Sequence, residues 1–213
     1  RLGAVNAKRL IYTHPGGNIP QWCVNSLFEM IRLGEIGAAL IAGGEALSTQ
    51  KTAQRAGTKL DWSEDSGGTF EEWGSAKRGW SEMEERHRMM SAICAYPMVE
   101  NAIRRHKGKT IDEHMVNMGR LFERFARVAA SNQLADRRTG YSADEIATVN
   151  EKNPFIGFPY TKLMNANVFI DQSAALVLMS TTRAKELEIP KDKWVYLHGC
   201  GDTNDHWYLS ERI

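Results

Sequence analysis

Two glycines stand directly before a helix-forming stretch in Thr13-His14-Pro15-Gly16-Gly17-Asn18-Ile19-Pro20. Glycine lets the backbone turn sharply, and the first N–H groups of a helix have no partner within it. Such an end holds anions or stabilises a developing oxyanion, which makes Gly16, Gly17 and Asn18 the first candidates for chemistry. The same residues also fit an ordinary loop-to-helix junction with a helpful cap. A Gly-Gly pair is a weak motif and departs from the full dinucleotide fingerprint. Of the three cysteines, Cys23 falls inside the helix beside Val24 and Leu27, where apolar surroundings raise a thiol pKa and quench its reactivity. Cys94 reads as structural in the same way. Cys200, in His198-Gly199-Cys200-Gly201-Asp202, has a histidine two residues away, on the same face if the segment is a strand. A purely structural role is the alternative there. Spacings of 71 and 106 between the cysteines give no metal or disulfide framework, and no metal site is expected. Arg120, Arg124 and Arg127 share one helix face. They form either a solvated basic face or a guanidinium cluster suited to phosphate. Met83, Met89, Met90, Met115 and Met118 read as flexible core filler.

These residues need elements to position them. Val24, Leu27, Phe28 and Ile31 follow helical spacing, and predict a helix over Pro20–Leu33 with Asn18 as cap and Gly34 near its stop. Ala38 to Ala42 is a continuous apolar run running into Gly43-Gly44-Glu45, as expected of a strand covered on both faces in a parallel sheet. A helix is expected from Pro97 to Lys107, stopping at Gly108. Thr110-Ile111-Asp112-Glu113 is a capping box that opens a long helix, with Met115, Met118, Phe122, Phe125 and Ala129 on its apolar stripe. Ser142-Ala143-Asp144-Glu145 is a second capping box. Ala174 to Met179 reads as a strand, Thr181 to Glu188 as a short helix, and Trp194 to Leu197 as another strand.

The chain's 213 residues suffice for one large domain or a domain carrying a sizeable insertion. Lys plus Arg is 27 against 26 Asp plus Glu, a balance that argues against nucleic acid as a partner. No uncharged apolar run has the roughly 18 residues of a membrane span. A start at Arg1 with no signal-like apolar core reads as internal to a longer protein, and the cysteine usage suits a reducing, cytoplasmic setting. Charge is uneven: Asp61 to Glu85 holds 8 acidic and 2 basic residues, and Arg86 to Arg138 holds 11 basic and 5 acidic ones. The central stretch thus differs from the two ends, and an α/β core interrupted by a long insertion accounts for the pattern.

Gly34, the run Ala38 to Ala42 and Gly43-Gly44-Glu45-Ala46-Leu47-Ser48 resemble the thiolase segment in which a helix, a strand and a Gly-Gly-x-Glu-type turn follow the nucleophile. Asp171-Gln172-Ser173-Ala174-Ala175 and the apolar strand to Ser180 resemble the thiolase Asp-Gly-Ala-Ala stretch. Tyr96-Pro97, Glu113-His114 and Pro159-Tyr160-Thr161-Lys162 resemble the insertion of bacterial proteins named acetyl-CoA acetyltransferase, a thiolase-like branch.

The resemblance implies a thiolase-like α/β fold: part of an N-terminal half carrying a mainly helical inserted loop domain. Residues 1–50 would begin that half, 51–160 form the loop domain, 161–190 supply the half's last strand and helix, and 191–213 begin a C-terminal half. It also implies acyl transfer between coenzyme A and a carbon nucleophile, with an acyl-CoA thioester as substrate and no permanently bound cofactor. A homodimer, an accessory subunit and a place in lipid metabolism follow by the same analogy. The alignment puts the family's nucleophile at Gly17, where no thioester can form, and His14 three residues before it, either facing the acyl pocket or serving as an ordinary loop histidine. The family's general-base histidine, second cysteine and oxyanion asparagine belong to motifs these residues do not contain. Two expectations result. One is an enzyme without the usual cysteine, whose Gly17 and Asn18 N–H groups polarise a thioester carbonyl for retro-aldol or Claisen-type cleavage. The other is a non-catalytic acyl-CoA-binding or scaffolding subunit. In either, Arg120, Arg124 and Arg127 are candidates to meet the phosphates of coenzyme A.

Overall fold

The computed structural model describes residues 7–62 and 69–212. Arg1 and part of the acidic stretch, residues 63–68, lie outside them. In chain order the elements are β1 (Ile11–Thr13), α1 (Ile19–Arg32), β2 (Ala38–Ala46), α2 (Leu47–Arg55), β3 (Glu71–Trp73), α3 (Glu82–Arg86), α4 (Ala92–His106), α5 (Ile111–Ser131), α6 (Ala143–Ala147), β4 (Phe155–Gly157), β5 (Tyr160–Thr161), β6 (Asp171–Met179) and α7 (Thr181–Glu186). They fall into two units, the first within Arg1–Arg78 and Phe169–Asp205, the second within Gly79–Val168 and His206–Ile213.

The first unit is α/β. β2 pairs with β6 over nine residues, from Ala38 opposite Met179 to Ala46 opposite Asp171, and α1 and α2 lie against this ladder. The pairing is antiparallel, and Leu40, Leu176 and Val177 are exposed. This corrects the expectation of a parallel strand covered on both faces: an apolar run shows that a strand is able to be covered, not what covers it. The strand also continues through Gly43, Gly44 and Glu45 rather than turning there. α2 begins at Ala46, which has no capping side chain. Asp171 of β6 serves instead, its carboxylate accepting from the Thr49 N–H at 3.0 Å and the Thr49 hydroxyl at 2.6 Å. Those bonds hold the Asp171 carboxyl below its usual range. β1 and β3 form a separate parallel pair. Trp194 to Leu197, expected as a strand, has no ladder partner among the described residues. The Trp194 indole N–H instead donates to Ile189 O at 3.0 Å.

The second unit is built on α5 and α6, and both begin as their sequences dictate. Thr110 and Ser142 each accept from the N–H three residues on, and Glu113 and Glu145 return the bond. The core joins Met115, Met118, Ile146 and Met164, with Phe122 packed on it. Gly119 permits the close approach of the two helices, since a Cβ there would come within 2.5 Å of Ala143 O. Asn153 closes the far end of α6: its buried amide faces the carbonyls of Glu145, Ile146 and Thr148, which the helix itself leaves open. Phe125 departs from the expected stripe and is 64% exposed, because the buried arc of α5 runs through His114, Met115, Met118 and Gly119 instead. α4 starts at Ala92 and carries Pro97 in its interior rather than at its start. Proline removes the N–H that would bond Ile93 O. The backbone of Gly157 packs there, so closely that a Cβ would lie 2.8 Å from that oxygen.

Candidate functional site

The mouth of α1 gathers three of the residues the sequence pointed to. β1 delivers His14, whose N–H donates to Trp73 O at 2.9 Å and whose Nε2 lies 3.4 Å from a Glu72 carboxylate oxygen. Trp73 meets Trp22 of α1 edge-on at 5.6 Å, which fixes β3 beside the helix start. Gly74 completes the corner at φ +93°, a conformation that favours glycine, with His14 and Ile19 alongside.

Gly16 and Gly17 play different parts from those expected. Neither has the positive φ of Gly34, Gly57, Gly74 and Gly108. Gly16 is required for space, since a Cβ would come within 2.8 Å of Ile19 Cγ1 and 3.2 Å of Asn18 Oδ1. At Gly17 a Cβ would meet nothing within 4 Å, so its bare backbone faces open space. Asn18 holds the N-cap position, but in helical geometry and with no capping bond from its side chain. Of the N–H groups at this end, Ile19 donates to Gly16 O and Trp22 to Asn18 O, both at 3.1 Å, and Pro20 has none. Among the described residues the N–H groups of Gly17, Asn18 and Gln21 have no partner, which leaves them as donors for a ligand.

Behind the mouth runs a side-chain relay that sequence reasoning missed. Asn25 is buried on α1, accepts from Gln21 Nε2 at 2.9 Å and donates to Asp202 Oδ1 at 2.7 Å. Asp202 belongs to the segment singled out for His198 and Cys200. Cys200 is exposed, and no bond joins it to His198 among the described residues. Cys23 is buried two residues before Asn25, and burial pushes its thiol up, as its apolar neighbours required. Cys94, read as structural, is exposed, with its sulfur 3.4 Å from Ser91 Oγ.

Arg120, Arg124 and Arg127 are exposed on α5, in the second unit, so they do not belong to the unit that holds the α1 mouth. Arg127 lies 3.7 Å from Glu123, one helical turn back. Among the described residues no group of three or more His, Cys, Asp or Glu side chains is placed to hold a metal ion, and no helix is long and apolar enough to cross a membrane.

No family model matches the chain, and no curated protein matches it. Among solved structures it is similar to the crystal structure of a monomeric SCP2-thiolase like protein type 1 from Mycobacterium smegmatis, at 30% identity and a TM-score of 0.67 over 86% of this chain. The fold is thiolase-like. The match covers 33% of that protein, so the chain spans about a third of its length. That protein is described as monomeric and lends no support to the homodimer the sequence resemblance implied.

Proposed function

We propose that the chain is part of a thiolase-like protein that binds a coenzyme A thioester at the α1 mouth and makes or breaks a carbon–carbon bond, as an acyltransferase of the acetyl-CoA acetyltransferase type. The observation that carries this reading is the combination of the thiolase-like fold with uncommitted N–H groups at Gly17, Asn18 and Gln21 beside open space at Gly17. In this reading the thioester oxygen sits against those donors. Polarisation of the carbonyl there stabilises an enolate at the adjacent carbon, with no acyl-enzyme formed on this helix. Arg120, Arg124 and Arg127, on α5 of the second unit, are proposed as a phosphate-binding face, using the geometry that suits guanidinium to phosphate. The substrate binds and leaves, and no permanently held cofactor or metal takes part. The proposed setting is the cytoplasm.

A second reading, a non-catalytic acyl-CoA-binding or scaffolding subunit, is favoured by the sequence resemblance, which puts the family's nucleophile at Gly17, a residue without a side chain. Calorimetric titration with acetyl-CoA, followed by intact-protein mass spectrometry, tests the proposal. Saturable binding and release of coenzyme A without a covalent adduct supports the enzyme, and binding without release supports the subunit. A stable acetyl adduct mapped to Cys23, or no binding at all, overturns both.

A further inference from the structure

Away from the α1 mouth, the second unit holds a cluster of titratable side chains from three elements. Glu100 of α4 lies at its centre. One of its carboxylate oxygens is 2.7 Å from His114 Nε2 on α5, and the other accepts from the Tyr160 hydroxyl of β5 at 2.5 Å. His114 is 5% exposed, and its other ring nitrogen, Nδ1, is buried without a partner. Glu100 therefore provides the one polar contact of this imidazole among the described residues. An ionised carboxylate only accepts, so the arrangement requires Nε2 to carry the donating hydrogen. Burial, and then the bond to Glu100, push the Tyr160 hydroxyl well above its ordinary value, which keeps it a donor.

α4 otherwise has little to hold it. Of its fifteen residues only Pro97 is buried, and Ile93, Tyr96, Met98, Val99 and Ile103 are all exposed. Among the described residues the Arg104 side chain bonds only Lys109 O, just beyond the helix's own end. Besides the packing of Ile93 and Pro97 on Gly157, α4 is tied to the body of the unit by a neutral bond from Asn101 Nδ2 to Phe158 O at 3.2 Å. The core of Met115, Met118, Ile146 and Met164 draws no residue from α4.

We infer that α4 is a charge-latched strap: the Glu100 carboxylate, gripping His114 and Tyr160, holds this helix to the second unit, and loss of that charge releases α4 while the α5–α6 core stays folded. The latch is within reach of solvent, since 21% of the Glu100 side chain is exposed. A neutral group of the same size would offer one acceptor to two donors and turn a donor of its own toward one of them. Two hydrogen bonds to a charge, each stronger than a neutral one, would weaken together.

Hydrogen exchange followed by mass spectrometry on the whole chain tests this with Glu100→Gln and Tyr160→Phe. In Glu100→Gln, peptides spanning 92–106 should exchange about tenfold faster or more, the consequence of losing charged hydrogen bonds at a locally opening element. Peptides spanning 111–131 should keep their wild-type rates. Tyr160→Phe, which removes one of the two grips, should speed the same 92–106 peptides by a smaller factor. Unchanged exchange in 92–106 overturns the inference. So does equal acceleration in 92–106 and 111–131, or failure of Glu100→Gln to fold, because either outcome would make Glu100 a part of the core rather than a latch on it.

Discussion

Gly119→Ala sets two effects of opposite sign against each other. Glycine inside a helix costs about 1 kcal/mol relative to alanine, so propensity alone predicts that the substitution stabilises α5. The packing predicts the reverse. A Cβ at 119 would lie 2.5 Å from Ala143 O, where ordinary contact begins at 3.4 Å, and 3.2 Å from Ala147 Cβ. The oxygen belongs to the backbone of α6, whose start is pinned by the Ser142–Glu145 box, so no side-chain rotation relieves the clash. α6 must move by about 0.9 Å, or the Met115–Met118–Ile146–Met164 core must open. Overpacking a core costs roughly 1–3 kcal/mol, and a backbone obstacle puts this case at the upper end. Subtracting the propensity gain leaves a net loss of about 2 kcal/mol, which lowers the melting temperature of a unit this size by roughly 8–16 °C. Differential scanning calorimetry of both proteins measures it. A melting temperature equal to or above wild type would refute the packing argument and show that α5 and α6 are not held at this distance.

Two further outcomes follow from the same residues and charges. Glu84 is buried and accepts from the N–H groups of Ser81 and Ser210, and these bonds hold its carboxyl below the ordinary value of 4.5. A depressed pKa contributes stability above the unfolded value that is lost as pH falls through the folded one. Chemical denaturation should therefore show wild-type stability declining below about pH 4.5, with a shallower decline and lower neutral-pH stability in Glu84→Gln, and parallel curves would contradict this. The triple variant Arg120→Ala, Arg124→Ala, Arg127→Ala should bind acetyl-CoA more weakly than wild type by calorimetry. Unchanged affinity would return those arginines to a solvated face.

What the sequence made legible is what is encoded locally. The Thr110 and Ser142 boxes, the apolar spacing of α1 and the strand from Ala174 to Met179, which the ladder extends back to Asp171, each sit within a few residues of their own signals. The glycines before α1 are a local pattern of the same kind. Pairings across the chain left no such trace. Glu100, His114 and Tyr160 are separated by 14 and 46 residues, and Asn25 and Asp202 by 177. Nothing in the run Ala38 to Ala42 tells an antiparallel ladder from a parallel one. Phe125 misled because helical spacing defines an arc wider than the contact that one neighbouring helix makes. Gly74, with its positive φ beside His14, was overshadowed by the more conspicuous pair at 16 and 17.

In the proposed function the N–H groups around Gly17 receive a thioester carbonyl. Titration of acetyl-CoA into wild type and Gly17→Val, with both melting temperatures recorded, tests it most directly. A Cβ at 17 enters open space, so the stability of the variant should stay within about 0.5 kcal/mol of wild type. Its branches would occupy the place of the carbonyl, and loss of one such donor contact costs roughly 3–4 kcal/mol in the transition state, about 100- to 1000-fold in rate. Gly17→Val is expected to melt like wild type and to have lost thioester affinity and turnover. A variant that melts like wild type and retains both would contradict it.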